Sequence, residues 1–262
     1  AKKFCKAQRV YGAESYIRGF SGHLLDLLVI HYGGFLRLLR QASRWNEKTK
    51  TVIDVPNAHK GKALQTLNTS KTGGPLVVVD PVQHERNAAA SLTSDNYRRF
   101  IVAARKFLHA PHKRFFERQP IDVAGLRKRG TLIRVVASPT SGSDDIVGTR
   151  FLKLYEHCEK ALLDAGFSIA GKDWQWHGGD ATLWFVTKEK MLPATRSVTG
   201  PPATMKEHAA AFRKKHKRTR TVKGRVVAIV PIPQRTPAAV LRAMVRDDYA
   251  RERAKRIKVI EG

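Results

Sequence analysis

Of 262 residues, 49 are Lys or Arg and 22 are Asp or Glu, giving a formal net charge of +27 with His neutral and a sequence pI of about 10.6. Self-repulsion on that scale calls for a polyanionic partner, and a hydrophobic share of 42% with 8% aromatic residues excludes disorder as the source of the charge. No run approaches the ~20 apolar residues of a membrane-spanning helix, and Ala1-Lys2-Lys3-Phe4 lacks the apolar core of a secretory signal. RNA or DNA is therefore expected as partner, with no membrane, in a soluble, non-secreted protein. Cys5 and Cys158 lie far apart without C-x-x-C or Cys/His spacing, so neither a disulfide framework nor a zinc site is expected. A reducing compartment fits, the cytoplasm or alternatively the mitochondrial matrix.

From residue 1 to about 129 the apolar residues fall mostly at helical spacing. Leu24, Leu25, Leu28, His31 and Tyr32 form one stripe; Phe35, Leu36, Leu39 and Ala42 form a second; Phe100, Ile101, Ala104, Phe107 and Leu108 form a third. Each needs another helix to bury it. Two short β-like pieces, Thr51 to Val55 and Leu76 to Val79, are separated by a polar stretch, 56–74, whose Asn68, Lys71, Gly73 and Gly74 predict an exposed loop. Residues 1–129 thus predict a helical domain with a small strand pair.

Residues 130–262 predict a second domain with alternating elements. Thr131 to Ala137 has a strand pattern. Phe151, Leu154, Tyr155, Cys158, Leu162 and Ala165 form one helix face, which Gly166 ends. Two further strands, Phe167 to Trp176 and Thr182 to Thr187, flank a hairpin loop at His177-Gly178-Gly179-Asp180. A helix from about Met205 to Lys215 and a strand from Arg225 to Val230 complete a β-α-β-β-α-β order, the ferredoxin-like arrangement, in an α+β protein. The aromatic octapeptide of the common RNA-recognition motif is missing, and topology by itself does not establish RNA binding.

Positive charge is concentrated. Arg213, Lys214, Lys215, Lys217, Arg218, Arg220, Lys223 and Arg225 crowd a segment without an acidic residue, and Arg251, Arg253, Lys255, Arg256 and Lys258 enrich what is expected to be a C-terminal helix. Such clusters suit phosphate contacts, although a basic run also makes a well-solvated face. Tyr97-Arg98-Arg99-Phe100 interleaves aromatics with cations in a way that permits base stacking, but Phe100 also falls on a helical core stripe.

Catalytic patterns are not evident. His109 and His112, or His23 and His31, have no converging Cys or carboxylate spacing for a metal. Ser21 and Ser141 show no His and acid arrangement. Gly33-Gly34 and Gly178-Gly179-Asp180 lack a following carboxylate pair, and no phosphate-cradling Gly-x-x-x-x-Gly-Lys-Ser/Thr loop occurs.

Longer motifs point to a family. Tyr11-Gly12-Ala13-Glu14-Ser15-Tyr16-Ile17-Arg18-Gly19-Phe20-Ser21-Gly22-His23, running on to Gly33-Gly34-Phe35, closely resembles the segment that follows the catalytic head of archaeal-type (class I) CCA-adding tRNA nucleotidyltransferases. Val79-Asp80-Pro81-Val82 with Glu85-Arg86-Asn87-Ala88-Ala89 is similar to the family's Asp-Pro-Val-Asp-Pro-x-Arg-Asn-Val-Ala motif, with Gln83-His84 in place of the second Asp-Pro. Asp144-Asp145-Ile146-Val147-Gly148, Gly166-Phe167 and Gly200-Pro201-Pro202-Ala203 resemble landmarks of its tail, so the resemblance covers essentially the whole chain.

The resemblance implies a helical poly(A)-polymerase-type substrate-binding body followed by a ferredoxin-like tail, parts that in the family hold the acceptor stem and TψC arm of tRNA by shape. It also implies that Lys2 or Lys3 with Tyr11 would face a nucleoside triphosphate and that Arg86 would lie near the incoming base. Read from the residues alone, Tyr11 equally packs a helix start and Arg86 equally pairs with Asp80. The family's metal-holding carboxylates belong to the head, so Mg and CTP or ATP are expected only if a catalytic head is supplied elsewhere. Two functions follow. One is an RNA-binding part of a CCA-adding enzyme that grips structured RNA, tRNA in particular, without autonomous catalysis and partners a head subunit. The other is a headless homologue turned ribosome-associated structural protein, bound to rRNA among ribosomal proteins.

Overall fold

The computed structural model describes residues 1–46 and 48–262, and the chain divides into two compact units, Ala1–Pro120 and Ile121–Gly262. In the first, α1 (Lys2–Ala7) is followed by α2 (Gly22–His31) and α3 (Phe35–Ala42), which carry the first two predicted stripes, the third falling on a later, longer helix. Then come β1 (Thr51–Ile53), α4 (Ala63–Thr66), α5 (Thr69–Thr72), β2 (Leu76–Val78), the long α6 (Ser94–His109) and a 3₁₀ turn at Lys113–Phe116. Phe4 is the hub. Its ring meets those of Phe35, Phe100, Phe107, Phe115 and Phe116 at centroid distances of 5.5 to 6.4 Å, mostly edge-on, the geometry that aromatic quadrupoles favour. Tyr97 and Phe100 are fully buried, so the aromatics considered for base stacking belong to this core.

β1 and β2 pair in parallel, Thr51 opposite Leu76 through Ile53 opposite Val78. A parallel pair cannot be closed by a tight turn and needs a crossover, which corrects the expectation of a simple exposed loop at 56–74. The crossover carries α4 and α5, and Ala63 and Leu67 are buried against Val77 and Val79. Asn87, itself buried, staples the connection. Its Oδ1 accepts from the N–H groups of Val78 and Ala89, both at 2.9 Å, while Nδ2 donates to the carbonyls of Lys71 at 2.8 Å and Leu76 at 3.2 Å.

The second unit opens with α7 (Val123–Arg127), followed by β3 (Thr131–Ser138), α8 (Asp144–Ala165), β4 (Ile169–Gln175) and β5 (Ala181–Thr187). Gly166 ends α8 at φ 107°, the left-handed cap expected of it. Next come β6 (Thr195–Pro202), α9 (Lys206–Lys215), β7 (Thr219–Val222) and β8 (Arg225–Pro231), and last α10 (Pro237–Met244), α11 (Asp248–Arg251) and β9 (Arg256–Glu261).

The main sheet has the order β4-β5-β3-β9, all antiparallel. With α8 and α10 it forms a β-α-β-β-α-β unit in an α+β chain. Two expectations are corrected. The second helix and fourth strand of this unit are α10 and β9. The helix at 206–215 and the strand at 225–231 belong instead to a separate antiparallel sheet, β6-β8-β7, which carries α9. The basic C-terminal stretch is likewise not one helix, because after the single turn of α11 it straightens into β9 alongside β3. The main core gathers Ile133, Val135, Ala137, Leu183 and Phe185 against Phe151, Leu154, Leu241 and Met244. Among the described residues, no helix is long and apolar enough to cross a membrane.

Candidate nucleic-acid interface

Tyr11 owes its place to a closed loop. Gly12 N–H donates to the Phe20 carbonyl at 2.9 Å, and Phe20 N–H and Gly19 N–H donate to Val10 and Gly12 carbonyls, both at 2.7 Å. A Cβ on Gly19 would lie 2.2 Å from the Val10 carbonyl oxygen, so the loop closes only around a residue without a side chain. Asn96 of α6 fastens the loop by donating from Nδ2 to the carbonyls of Ile17 at 2.7 Å and Arg18 at 3.1 Å. The chain then enters α2 through Ser21, whose Oγ accepts from Leu24 N–H at 3.0 Å, a standard N-cap.

Around the first turn of α2 the structure gathers Lys2 and Tyr11 at Gly22 and Arg86 by way of His23. A Cβ on Gly22 would come 3.2 Å from Tyr11 Oη and 3.7 Å from Lys2 Nζ. Lys2 Nζ pairs with Asp26 at 2.9 Å, and that hydrogen bond raises the Lys2 pKa. His23 Nε2 is 3.0 Å from Asp80 Oδ2, and Arg86 Nη1 is 3.6 Å from the same oxygen. The Asp80 side chain is 4% exposed. Its Oδ1 accepts from the N–H groups of Val82 at 3.0 Å and Gln83 at 3.2 Å. The Val82 bond, then those of Gln83 and His23, hold its pKa below the ordinary value against the opposing effect of burial.

Two members of this cluster were not singled out from sequence. Lys6 lies one turn after Lys2 and holds Nζ 5.0 Å from the centroid of the Tyr11 ring, within cation–π reach. The i, i+4 spacing from Lys2 was the available signal. His23 reads in sequence as an isolated imidazole, although it stands inside the quoted motif. Lys3 lies about 100° around α1 from Lys2 and makes none of these contacts. Both nearby carboxylates, Asp26 and Asp80, are engaged as described, and among the described residues no group of three or more His, Cys, Asp or Glu side chains is placed to hold a metal ion. These residues do not by themselves fit a Mg site.

The basic cluster of the second unit runs along the β7 edge of its smaller sheet, from the end of α9 to the β7–β8 hairpin. Arg213, Lys214 and Lys215 occupy the last turn of α9; Lys217 and Arg218 lead into β7; Arg220 lies on β7; Lys223 and Arg225 are at the β7–β8 turn. All eight are exposed, and among the described residues none makes an ion pair with a carboxylate. Arg225 Nε donates to the Gly200 carbonyl at 3.0 Å, which ties this guanidinium to the neighbouring β6. The turn places Lys223 at φ 47° and Gly224 at φ 73°, the two left-handed residues of a tight hairpin.

The C-terminal candidates have different surroundings. Lys255 is exposed, and Arg251 pairs with Asp248 at 3.6 Å. Arg253 stacks on Tyr249 with Cζ 3.2 Å from the ring centroid, donates to the Tyr249 carbonyl at 2.6 Å, and is only 16% exposed. Its guanidinium also pairs with Glu252 at 3.3 Å, and the Tyr249 ring beneath it meets His157.

Comparison with known proteins agrees with this geometry. Residues 1–117 match the family model for the second domain of tRNA nucleotidyltransferase, and 129–251 match that for the CCA-adding enzyme C-terminal domain. The CCA-adding enzyme of Methanoregula boonei is 34% identical over 224 residues, 82% of this chain and 46% of that protein. That of Methanothermobacter thermautotrophicus is 30% identical over 253 residues, 93% of this chain and 53% of that protein. That of Archaeoglobus fulgidus is 42% identical over 129 residues, 49% of this chain and 27% of that protein. The chain spans about half the length of the first two. With both domain models matched in order and the two quoted motifs of the first unit meeting at Asp80, the chain belongs to the archaeal CCA-adding tRNA nucleotidyltransferase family, whose second and C-terminal domains it carries.

Proposed function

We propose that this chain is an RNA-gripping part of CCA addition, holding the acceptor and TψC arm of tRNA without autonomous catalysis. The observation that carries the reading is the β7 edge of the smaller sheet, along which eight exposed cations from Arg213 to Arg225 lie without a carboxylate partner among the described residues. Such a surface gains affinity by releasing counterions from phosphates. It suits an A-form duplex, whose deep major groove hides base edges and leaves phosphates and 2′-hydroxyls as handles. Arg213, Lys214, Lys215, Lys217, Arg218, Arg220 and Arg225, with Lys223 at the hairpin tip, are the proposed phosphate contacts, and Arg251 and Lys255 on the C-terminal stretch are further ones.

Lys2, Lys3, Tyr11 and Arg86 serve nucleotide addition in this reading only beside a catalytic head, which would bring Mg and CTP or ATP. An ammonium and a phenol at the start of α2 suit an anionic group, because the helix terminus adds partial positive charge. Arg86→Ala is then expected to impair nucleotide addition in the presence of the head and to leave RNA affinity nearly unchanged.

The test is crosslinking in the native cell followed by sequencing of the attached RNA. Reads over acceptor stems and TψC arms of many tRNAs are expected. Reads confined to a few ribosomal RNA helices would overturn the tRNA reading in favour of a ribosomal scaffold.

A further inference from the structure

The two faces of the β4-β5-β3-β9 sheet have different fates. One carries Ile133, Val135 and Ala137 into the main core. On the other, Leu132, Trp184 and Val186 are covered by Ile121, Val123 and Leu126 from the α7 segment. Side chains alternate along a strand, so the next residues on this second face of β3 are Arg134, Val136 and Ser138. Opposite them on β9 stand Ile260, Lys258 and Arg256, in that order. Opposite Val136 on β5 stands Thr182.

Arg134, Lys258 and Arg256 therefore share one sheet face. All three are exposed, and among the described residues none pairs with a carboxylate. Neighbours in this series, diagonal across the strands or two residues apart on one, are separated by about 7 Å. Glu261, the acidic residue of β9, belongs to the opposite face, opposite Ile133, and is paired with Arg242 at 2.8 Å. Charges on an edge strand commonly serve only to discourage edge-to-edge pairing, and β9 is an edge. That explanation does not reach Arg134, which stands on β3 between two hydrogen-bonded neighbours.

We propose that this face is a second RNA-binding surface, separate from the α9–β7–β8 cluster, which takes the sugar-phosphate backbone of an RNA strand. The cations form a row, which suits a linear polyanion; a single phosphate would call for cations converging on a point. Ser138 and Thr182 add hydroxyls, and half-buried Val136 and Ile260 provide an apolar floor for ribose. This inference rests on the RNA-binding reading above and adds where a second stretch of RNA lies.

The experiment measures binding of a labelled tRNA transcript to the full chain across a salt series. It compares the triple variant Arg134→Gln, Arg256→Gln, Lys258→Gln with the triple variant Lys217→Gln, Arg220→Gln, Lys223→Gln. Each is expected to lower the slope of log affinity against log salt by roughly 2.1 to 2.7, from three lost contacts at roughly 0.7 to 0.9 each. Arg134→Lys, which keeps the charge, is expected to keep the wild-type slope, and this separates lost phosphate contact from damage to the sheet. If the wild type binds tRNA and the sheet-face variant binds it with unchanged affinity and slope, this proposal falls while the first reading stands. If the wild type binds no tRNA, both fall.

Discussion

His23 Nε2 lies 3.0 Å from Asp80 Oδ2, and through that buried carboxylate the first turn of α2 is tied to the loop that presents Arg86. The family motifs containing His23 and Arg86 are far apart in sequence, and Asp80 is the residue that makes them one site. Asp80→Asn keeps an oxygen for the N–H groups of Val82 and Gln83 but turns an amide towards His23 and Arg86. A loss of about 1.5 to 3 kcal/mol at neutral pH is expected, the usual scale for a hydrogen-bonded charge. The folded-state pKa of Asp80 is depressed. Its contribution is therefore present above the unfolded value of about 3.9 and is lost as pH falls through the lower folded value. Melting curves between pH about 2 and 5 are expected to converge for wild type and variant at the acid end.

Lys223 occupies a left-handed position, φ 47°, in the hairpin between β7 and β8. An L-residue other than Gly, Asn or Asp is strained there, and the following Gly224 makes Lys223→Asn an Asn-Gly turn. The variant is expected to be more stable by up to about 1 kcal/mol and to bind RNA with a salt slope reduced by roughly 0.7 to 0.9. Thermal melting and a salt titration on the same preparation check both. Higher stability with an unchanged slope would remove Lys223 from the interface.

Gly200 lies against the Phe212 ring, where an added Cβ would come within 2.8 Å of ring atoms. Gly200→Ala is expected to destabilise by about 1 to 3 kcal/mol through overpacking. Phe212→Leu in the same chain is expected to recover part of that loss, giving a coupling that a double-mutant cycle measures. Independent, additive effects would mean that α9 is not seated on β6 through this contact.

Burial pushes the Cys5 thiol up to about 12 and raises that of Cys158 as well. Neither is expected to react with a thiol reagent at pH about 8 while the chain is folded, since the thiolate is the reactive form. Labelling is expected to appear only with unfolding. Because Cys5 and Cys158 lie in different units, their labelling midpoints in denaturant report the stability of each unit separately. Rapid labelling of Cys158 in the native protein would contradict its place on the buried face of α8.

Asn87 joins β2 to the crossover through both ends of its amide. Asn87→Ala is expected to cost about 3 kcal/mol by stranding buried backbone groups, read as a shift in the urea midpoint with little change in slope.

The sequence by itself determined the family, the helical character of the first unit and the strand–helix–strand–strand start of the second. Each of these rests on local signals: helical stripes such as Leu24, Leu25 and Leu28, the Gly166 cap, and long motifs in register. The composition also made a polyanion the expected partner. What only the tertiary structure decided was pairing. β8 and β9 are both short strands rich in Val and Ile, and nothing local says which one lies beside β3, so the element order alone closes the sheet with the wrong strand. The basic stretch holding Arg256 and Lys258 likewise reads locally as a helix, and Arg134 stands in a strand pattern that otherwise reads as core. Strand alternation tells which residues share a face, but whether that face meets a helix, another strand or solvent depends on segments far away in the chain. The three cations became neighbours only when residues more than a hundred positions apart came into register.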